Sequence, residues 1–296
     1  MTYVLFNPIA NNKKGKQAAM ELETAVDGEL KLIDITELSD VPGFFSKIDR
    51  EDDVVIAGGD GTLNIFANNV CGVKIENNLY LYPAGSGNDF INDVLGGQKR
   101  LFRINDYIEN LPEVTVNGKT SRFINGIGYG IDGYCCEVGD AQKELSEKPV
   151  NYTAIAIKGL LFHFTPANAK ITVDGVTHEY KKVWLAPTMN GRFYGGGMNV
   201  APKQDRLSED GHASVVVMYG SGKLKTLAVF PGIFKGEHVK HTEMVEILTG
   251  DEITVEFDRP TALQIDGETV KNVTSYSVKS RRLMKNEEEE LEAASV

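Results

Sequence analysis

Gly58-Gly59-Asp60-Gly61-Thr62-Leu63-Asn64 directly follows an apolar run at 53–57 and leads straight into a helical pattern. Glycines let a backbone turn with positive φ and approach a phosphate closely, and the free N–H groups at a helix start favour an anion. Strand, glycine-rich turn and helix in that order form a phosphate cradle. Asp60 stands among donors that seek an anion, so it needs a task of its own: holding Mg²⁺ or accepting a proton from an attacking hydroxyl. The alternative is a tight strand-to-helix turn in which Asp60 or Thr62 caps the helix. A second segment of the same design, Pro83-Ala84-Gly85-Ser86-Gly87-Asn88-Asp89, follows the next apolar run at 79–82. Two such turns on neighbouring strands would face one crevice, each with an aspartate at its rim, and packing accident explains one such turn more readily than two.

The elements that carry these turns alternate. Runs at 3–6, 30–33, 53–57 and 79–82 are rich in aliphatic and aromatic residues and bounded by turn residues, which predicts strands. Between them, 15–26, 62–71 and 86–95 read as helices, giving a βαβ domain with a mainly parallel sheet whose ligands bind beyond the carboxyl ends of the strands. After about Arg122 the chain becomes β-rich and glycine-punctuated, with strands expected at 169–173, 183–187, 213–219, 252–257 and 262–265 and one helix at 151–164. This pattern predicts an α/β N-terminal Rossmann-like nucleotide domain and a C-terminal all-β sandwich or barrel. The expected domains are 1–122, with 276–286 returning to it, then 123–275, then an acidic flexible tail at 287–296.

A chain of 296 residues accommodates two ordinary domains, and 42% hydrophobic with 25% charged residues excludes both disorder and a disulfide-stapled miniature. Three cysteines, Cys71 and the pair Cys135-Cys136, form no even framework and show no metal spacing, so they read as reduced thiols. A net charge of −11 argues against nucleic acid as a partner, which needs a basic face. Part of that charge is the run Glu287 to Glu290 with Glu292, placed after a basic cluster of Lys279, Arg281, Arg282 and Lys285. No apolar run reaches the roughly 18 residues that span a bilayer, and no signal-peptide pattern opens the sequence, so a cytoplasmic location is expected.

Two further segments carry chemistry-bearing residues. Leu207-Ser208-Glu209-Asp210-Gly211-His212, taken alone, reads as a plain Asp-Gly turn, with His212 a surface turn residue rather than a base. Asp266-Gly267-Glu268 lies between two strand-like runs and taken alone reads as a hairpin turn.

Taken together, Asn7-Pro8, Gly58 to Asn64, Pro83 to Asp89 and Asp266-Gly267-Glu268 resemble the diacylglycerol kinase catalytic-domain family, in particular its soluble bacterial lipid kinases of the diacylglycerol kinase and YegS-like kind. The order of these motifs covers nearly the whole chain, whereas the first glycine turn alone would also fit NAD kinases and phosphofructokinase relatives. The resemblance implies an ATP- and Mg²⁺-dependent kinase acting on a lipid alcohol, with an active site between its two domains. Diacylglycerol is the first expected substrate; sphingoid bases and phosphatidylglycerol are open. It implies nucleotide contacts from Asn7, Pro8, Ile9, Ala10 and Asn11, from Thr36, from Gly58, Gly59, Asp60, Gly61, Thr62, Leu63 and Asn64, and from Ser86, Asn88 and Asp89. It implies a structural Mg²⁺ held by the Asp210 carboxylate and the carbonyls of Leu207 and His212. Asp60, Asp89 and Asp132 would serve catalytic metal through water, and Glu268 would be the general base. The chain departs from the pattern at Ala10-Asn11, in place of a small-residue and glycine end, at Ile65, in place of a glutamate, and at Ser86, in place of a threonine. Transient contact with the inner membrane surface and a homodimer are compatible with this reading. Its rivals are a soluble-substrate kinase of the NAD kinase type and a nucleotide-binding regulator without turnover.

Overall fold

A computed structural model describes residues 1–10, 14–24, 28–85, 87–145 and 150–286, and the chain divides into two compact units, Met1–Glu109 and Asn110–Val296. Asn11, Val26, Ser86 and the tail at 287–296 lie outside the described residues.

The first unit is built on β1 (Thr2–Phe6), β2 (Leu30–Asp34), β3 (Asp53–Gly58), β4 (Leu79–Pro83) and β5 (Phe102–Arg103) in the order β2-β1-β3-β4-β5. The first four are mutually parallel and β5 is antiparallel. Parallel strands covered on both faces need continuous apolar sequence, and Val4, Leu5, Val54, Ile56 and Ala57 are fully buried. The helices are α1 (Gly15–Met20), continued by a 3₁₀ turn at Glu21–Thr24, α2 (Val41–Phe45), α3 (Asp60–Asn69), α4 (Asp89–Leu95) and α5 (Asn105–Ile108). Leu63 and Phe66 anchor α3 in the core. From β1 the chain moves outward to β2 on one side, and from β3 it moves to β4 on the other. That reversal makes the carboxyl ends of β1 and β3 the switch point at which such sheets bind ligands. In register, Phe6 sits opposite Ala57, and Gly58 opposite Pro83, so the segments after β1, β3 and β4 all emerge at one edge.

The second unit is a mostly antiparallel assembly in the order β15-β14-β11-β8-β16-β17-β6-β7, with the hairpin of β9 (Ala167–Val173) and β10 (Val176–Val183) attached to β16. Its strands include β6 (Glu113–Val116), β7 (Lys119–Arg122), β8 (Gly126–Tyr129), β11 (Thr188–Met189), β14 (Ala213–Met218), β15 (Val245–Gly250), β16 (Glu252–Ile265) and β17 (Glu268–Lys279), with a small ribbon of β12 (Phe193–Tyr194) and β13 (Met198–Asn199). β16 is the spine of the sandwich. Its first half pairs with β9 and its last residues with β8, and its register against β17 shifts between Glu256 and Thr261. A strand that bends at such an irregularity can serve two layers. Tyr129 stacks on Phe257 at 3.9 Å between ring centroids and donates its hydroxyl to the Val273 carbonyl at 2.6 Å, which locks the inner core.

Several expectations are corrected. The β6–β7 hairpin, which precedes the expected boundary at Arg122, packs with the second unit, since β6 pairs with β17. The segment 276–286 belongs to the second unit, since β17 runs to Lys279 between β16 and β6. Runs 252–257 and 262–265 are one bent strand, and of the run 183–187 Val183 ends β10 while the rest makes only isolated bridges, through Leu185 to Gly130 and Met218. The unit is not all-β: α6 (Ile131–Leu145), α7 (Tyr152–Lys158) and α8 (Lys223–Val229) cover one side of it. The expected helix at 151–164 ends early and continues as a wider turn over Gly159–His163, in which the Phe164 N–H donates to the Gly159 carbonyl at 2.8 Å. In the basic cluster, Arg281 donates to the Arg206 carbonyl and Arg282 lies 3.5 Å from Asp251.

α6 lies against β16 so closely that a β-carbon on Gly133 would collide with the carbonyl of Ala262. Gly133→Ala is expected to lower stability by about 3 kcal/mol in a denaturant titration, the scale of an overpacked core site, whereas Gly222→Ala, where a β-carbon meets nothing within 4 Å, should change it far less.

Candidate active site

Beside the switch point, at the ends of β3 and β4, the two glycine turns are fused. A β-carbon on Gly59 would strike the carbonyl oxygen of Gly87 and the backbone of Gly85, and one on Gly85 would strike Gly59 in return. Only glycine at both positions permits this approach. The Ala84 N–H donates to the Gly58 carbonyl at 3.0 Å and the Asp60 N–H to the Gly87 carbonyl at 3.0 Å, stitching the turns together. Thr62 folds back under Gly58, where a β-carbon would meet its side chain, and is buried with Leu63. Leu63 therefore has only backbone to offer a ligand. Gly61 is exposed at the start of α3, in the first turn, where N–H groups lack intrahelical acceptors. The turn thus offers exposed helix-start amides to which an anion such as a phosphate could bind.

Asp60 is not a free rim charge. Its carboxylate accepts the N–H of Asp89 at 2.7 Å and of Phe90 at 3.1 Å, so the side chain of one turn caps the helix of the other. This merges the two readings of Asp60: it is a cap, but of α4 rather than of its own helix. Asp89 is buried at the start of α4. Asn88 donates to the Gly85 carbonyl at 2.9 Å, while its Oδ1 is buried with no partner among the described residues. Beside this, the segment after β1 forms a turn in which the Asn7 side chain accepts the Ile9 N–H at 3.1 Å and the Asn7 carbonyl accepts the Ala10 N–H at 3.1 Å. Ile9 is exposed, Pro8 and Ala10 are half-buried, and a β-carbon on Gly15 would collide with the Asn7 carbonyl, which fixes the helix start under the turn. Thr36, just beyond β2, is exposed and donates its hydroxyl to Asp34 at 2.7 Å. Asn64 lies on α3, its carbonyl and side chain accepting from Asn68, and Ile65 is exposed next to it.

The second unit gathers a separate polar set. Asp266 and Gly267 form the turn between β16 and β17, with φ of 46° and 99°. The Asp266 carboxylate accepts three consecutive amides, from Ile124 at 2.5 Å, Asn125 at 2.8 Å and Gly126 at 3.0 Å. Gln264 accepts the Gly267 N–H at 2.6 Å. The turn is therefore held from both sides, and Glu268, the first residue of β17, stands exposed on a rigid base. α6 runs alongside with Asp132, Cys136 and Asp140 spaced four apart on one face. Asp140 accepts the Thr269 hydroxyl at 2.6 Å and the Lys143 ammonium at 3.1 Å, tying the helix to the residue after Glu268. Burial, with the charges of Asp132, Asp140 and Glu268 nearby, pushes the Cys136 thiol up to about 12, so it stays protonated.

Asp132 is only 6% exposed, and burial lifts its carboxyl from 3.8 to about 7, offset in part by the Tyr194 hydroxyl. The Tyr194 hydroxyl is near enough to favour the charged carboxyl, yet it and Asp132 Oδ2 are both buried without a hydrogen bond of ordinary geometry among the described residues. A β-carbon on Gly128 would meet Gln264 Nε2 at 2.6 Å, the Asp132 β-carbon at 2.8 Å and the Tyr194 ring at 2.9 Å, so these groups converge on one point. An orphaned carboxylate oxygen there suits a hard cation or its water. At the other candidate, the Asp210 Oδ1 accepts from the Ser208 hydroxyl at 2.7 Å and the His212 N–H at 3.3 Å, which holds its carboxyl below the ordinary value. Leu207 is exposed and the His212 carbonyl accepts from Gln204 at 2.8 Å, which leaves that oxygen a second lone pair. The donor types fit Mg²⁺. The His212 ring lies between Asp210, at 3.7 Å, and Asp251, at 3.6 Å, consistent with a surface role.

Sequence reasoning missed Tyr194, Gln264, Asp140 and Thr269. The four-residue spacing of Asp132, Cys136 and Asp140 was the available signal, but it has meaning only once 131–145 is known to be a helix.

Asp60→Ala should lower stability by about 1–2 kcal/mol, the value of a lost helix cap, whereas Asp60→Asn retains an acceptor oxygen and should cost less; equal melting temperatures for Asp60→Ala and the parent would show that the cap contributes nothing. For Asp132 the sign follows from its raised carboxyl: the fold retains a proton that the unfolded chain releases, so its stability contribution is full in acid and is lost as pH rises toward about 7. In buffer with chelator, Asp132→Asn should therefore raise the melting temperature by an amount that grows from about pH 4 to about pH 7 and then levels. A gain independent of pH would exclude the buried carboxyl as its source.

Residues 1–123 match the model of the diacylglycerol kinase catalytic domain, and residues 125–281 that of the YegS C-terminal NAD kinase beta sandwich-like domain. A diacylglycerol kinase of Mycobacterium tuberculosis is 27% identical over 216 residues, covering 71% of this chain and 67% of that protein. Crystal structures of a Bacillus anthracis str. Sterne protein assigned as a diacylglycerol kinase share the fold, one at a TM-score of 0.65 and 20% identity, covering 94% of this chain and 91% of the other. A further structure from that organism gives a TM-score of 0.58 at 19% identity, with 94% and 93% covered. The fused glycine turns of the first unit and the braced Asp-Gly-Glu turn of the second thus sit within two adjoining family matches, and the chain belongs to the diacylglycerol kinase family of two-domain lipid kinases.

Proposed function

We propose that the protein transfers the γ-phosphoryl group of ATP to the hydroxyl of a lipid alcohol, with diacylglycerol as its first substrate. The observation that carries this reading is the pair of interlocked glycine turns beside the switch point, a rigid array of backbone donors without a side chain in the way. Phosphoryl transfer needs positioning and charge neutralisation more than covalent help from the protein. The Gly58 to Asn64 backbone would bind the phosphates, with the Asn7 to Ala10 turn and Asn88 alongside. Asp60 keeps the second turn seated on the first. Glu268 would take the proton from the lipid hydroxyl as its oxygen bonds to the γ-phosphorus, while the bond from that phosphorus to the bridging oxygen breaks and ADP leaves. Asp266, through its three amide bonds, fixes where the Glu268 backbone stands. Asp60 and Asp89 in the first unit, and Asp132 in the second, would each serve catalytic Mg²⁺ through water, and Asp210 with the carbonyls of Leu207 and His212 a structural ion. When bound, Mg²⁺ neutralises charge on the phosphoryl oxygens.

With ATP, Mg²⁺ and a panel of diacylglycerol, sphingoid base, phosphatidylglycerol and NAD, a phosphorylated lipid is expected. Product from NAD alone would establish a soluble-substrate kinase, and ATP binding without product from any acceptor would establish a regulator. Glu268→Gln should reduce turnover by roughly 10²–10⁴-fold, the range of general-base catalysis, with an unchanged melting temperature because the side chain is exposed.

A further inference from the structure

α7, the wide turn after it and α8 turn one side inward. Ile155, Leu160, Phe164 and Val229 are buried in a core shared with Trp184 and Met218. Their outer side is unusual for a chain of net charge −11. Phe162 is 71% exposed, Leu224 80% and Ile157 42%. The Lys223 ammonium donates to the Leu161 carbonyl at 3.0 Å, which places the start of α8, and hence Leu224, next to the turn that presents Phe162. That turn closes through an i to i+5 bond, and the extra residue it accommodates stands where Phe162 leaves the core. The charge on these segments has one sign. Residues 150–166 contain Lys158 and no Asp or Glu, and residues 220–236 contain Lys223, Lys225 and Lys235 and no Asp or Glu.

From these observations we propose that this face, with Phe162 and Leu224 as its apolar tips and the exposed Lys158 and Lys223 of the same two segments beside them, docks the protein on an anionic lipid bilayer. A large aromatic and a leucine raised above lysines match the two components of an interface, acyl-chain boundary and anionic headgroups. The segments that present them carry no carboxylate to oppose the approach. A second copy of this chain is a poorer occupant, because two such faces would bring lysine against lysine. The basic cluster at 279–285 is a weaker candidate, since Arg281 and Arg282 have partners within the unit. The docking site deepens the proposed function, resting on its reading that the acceptor is a lipid.

The test is co-sedimentation with vesicles of phosphatidylglycerol and phosphatidylcholine in equal parts, together with turnover of a short-chain diacylglycerol dispersed below its micelle concentration. Phe162→Ser with Leu224→Ser is expected to weaken vesicle binding by roughly tenfold or more. Turnover of the dispersed substrate and the melting temperature should be unchanged. Lys158→Glu should weaken binding at low salt, the deficit shrinking as ionic strength rises. Vesicle binding equal in parent and apolar variant, or absent in both, would overturn the docking face. So would a parent dimer that the apolar variant converts to monomer, since a second copy would then cover the patch. Failure to phosphorylate any lipid would overturn the functional reading instead, while the sedimentation result stands by itself.

Discussion

The close contact between Gly59 and Gly85 governs the chemistry of the first unit. Two backbones touch there with no space for a side chain on either, and the Asp60 carboxylate then reaches across to cap α4. Turns of adjacent parallel strands would otherwise be independent and mobile. Fused, they present helix starts and backbone donors in one fixed arrangement, which is what a phosphate site in a preorganised enzyme requires. The same contact explains why an aspartate is tolerated in an anion-seeking loop: its charge is already committed to two amides of the neighbouring turn.

The second unit reaches rigidity by a comparable device. Asp266 adopts a positive φ, which costs a non-glycine residue some strain, and its carboxylate recovers it by accepting three successive amides of the segment before β8. The Arg206 guanidinium donates to the Ile124 carbonyl and the Asn125 side chain of that segment, so the brace itself is braced. Glu268 inherits a fixed backbone position although its own side chain is exposed. Rigid backbone beneath an exposed carboxylate is the arrangement a general base needs.

Beside this rigid turn, the molecule retains an unfavourable feature. Among the described residues a carboxyl oxygen on Asp132 and the neighbouring Tyr194 hydroxyl are buried without a hydrogen bond of ordinary geometry, and an unsatisfied buried polar group costs roughly 1–3 kcal/mol. A purely structural interior would replace both with apolar groups. Their retention, around the small space left by Gly128, fits a group whose purpose is met only when ligand is present.

The sequence by itself determined the order of the domains, the parallel strands of the first unit and the location of both glycine turns, because continuous apolar runs and glycine clusters are local signals. It was silent on what Asp60 holds, since the amides of Asp89 and Phe90 come from a different turn, and on the bracing role of Asp266, whose partners lie more than 100 residues earlier. It did not show that β6 and β7, which follow the first unit in sequence, pair with β17. Helix α6 went unread because its mixed face, with glycines and cysteines, acquires a helical reason only when Gly133 packs on Ala262. Tertiary structure alone decided these points, because hydrogen bonds and close approaches between distant segments depend on where the chain returns, which no local pattern of residues encodes.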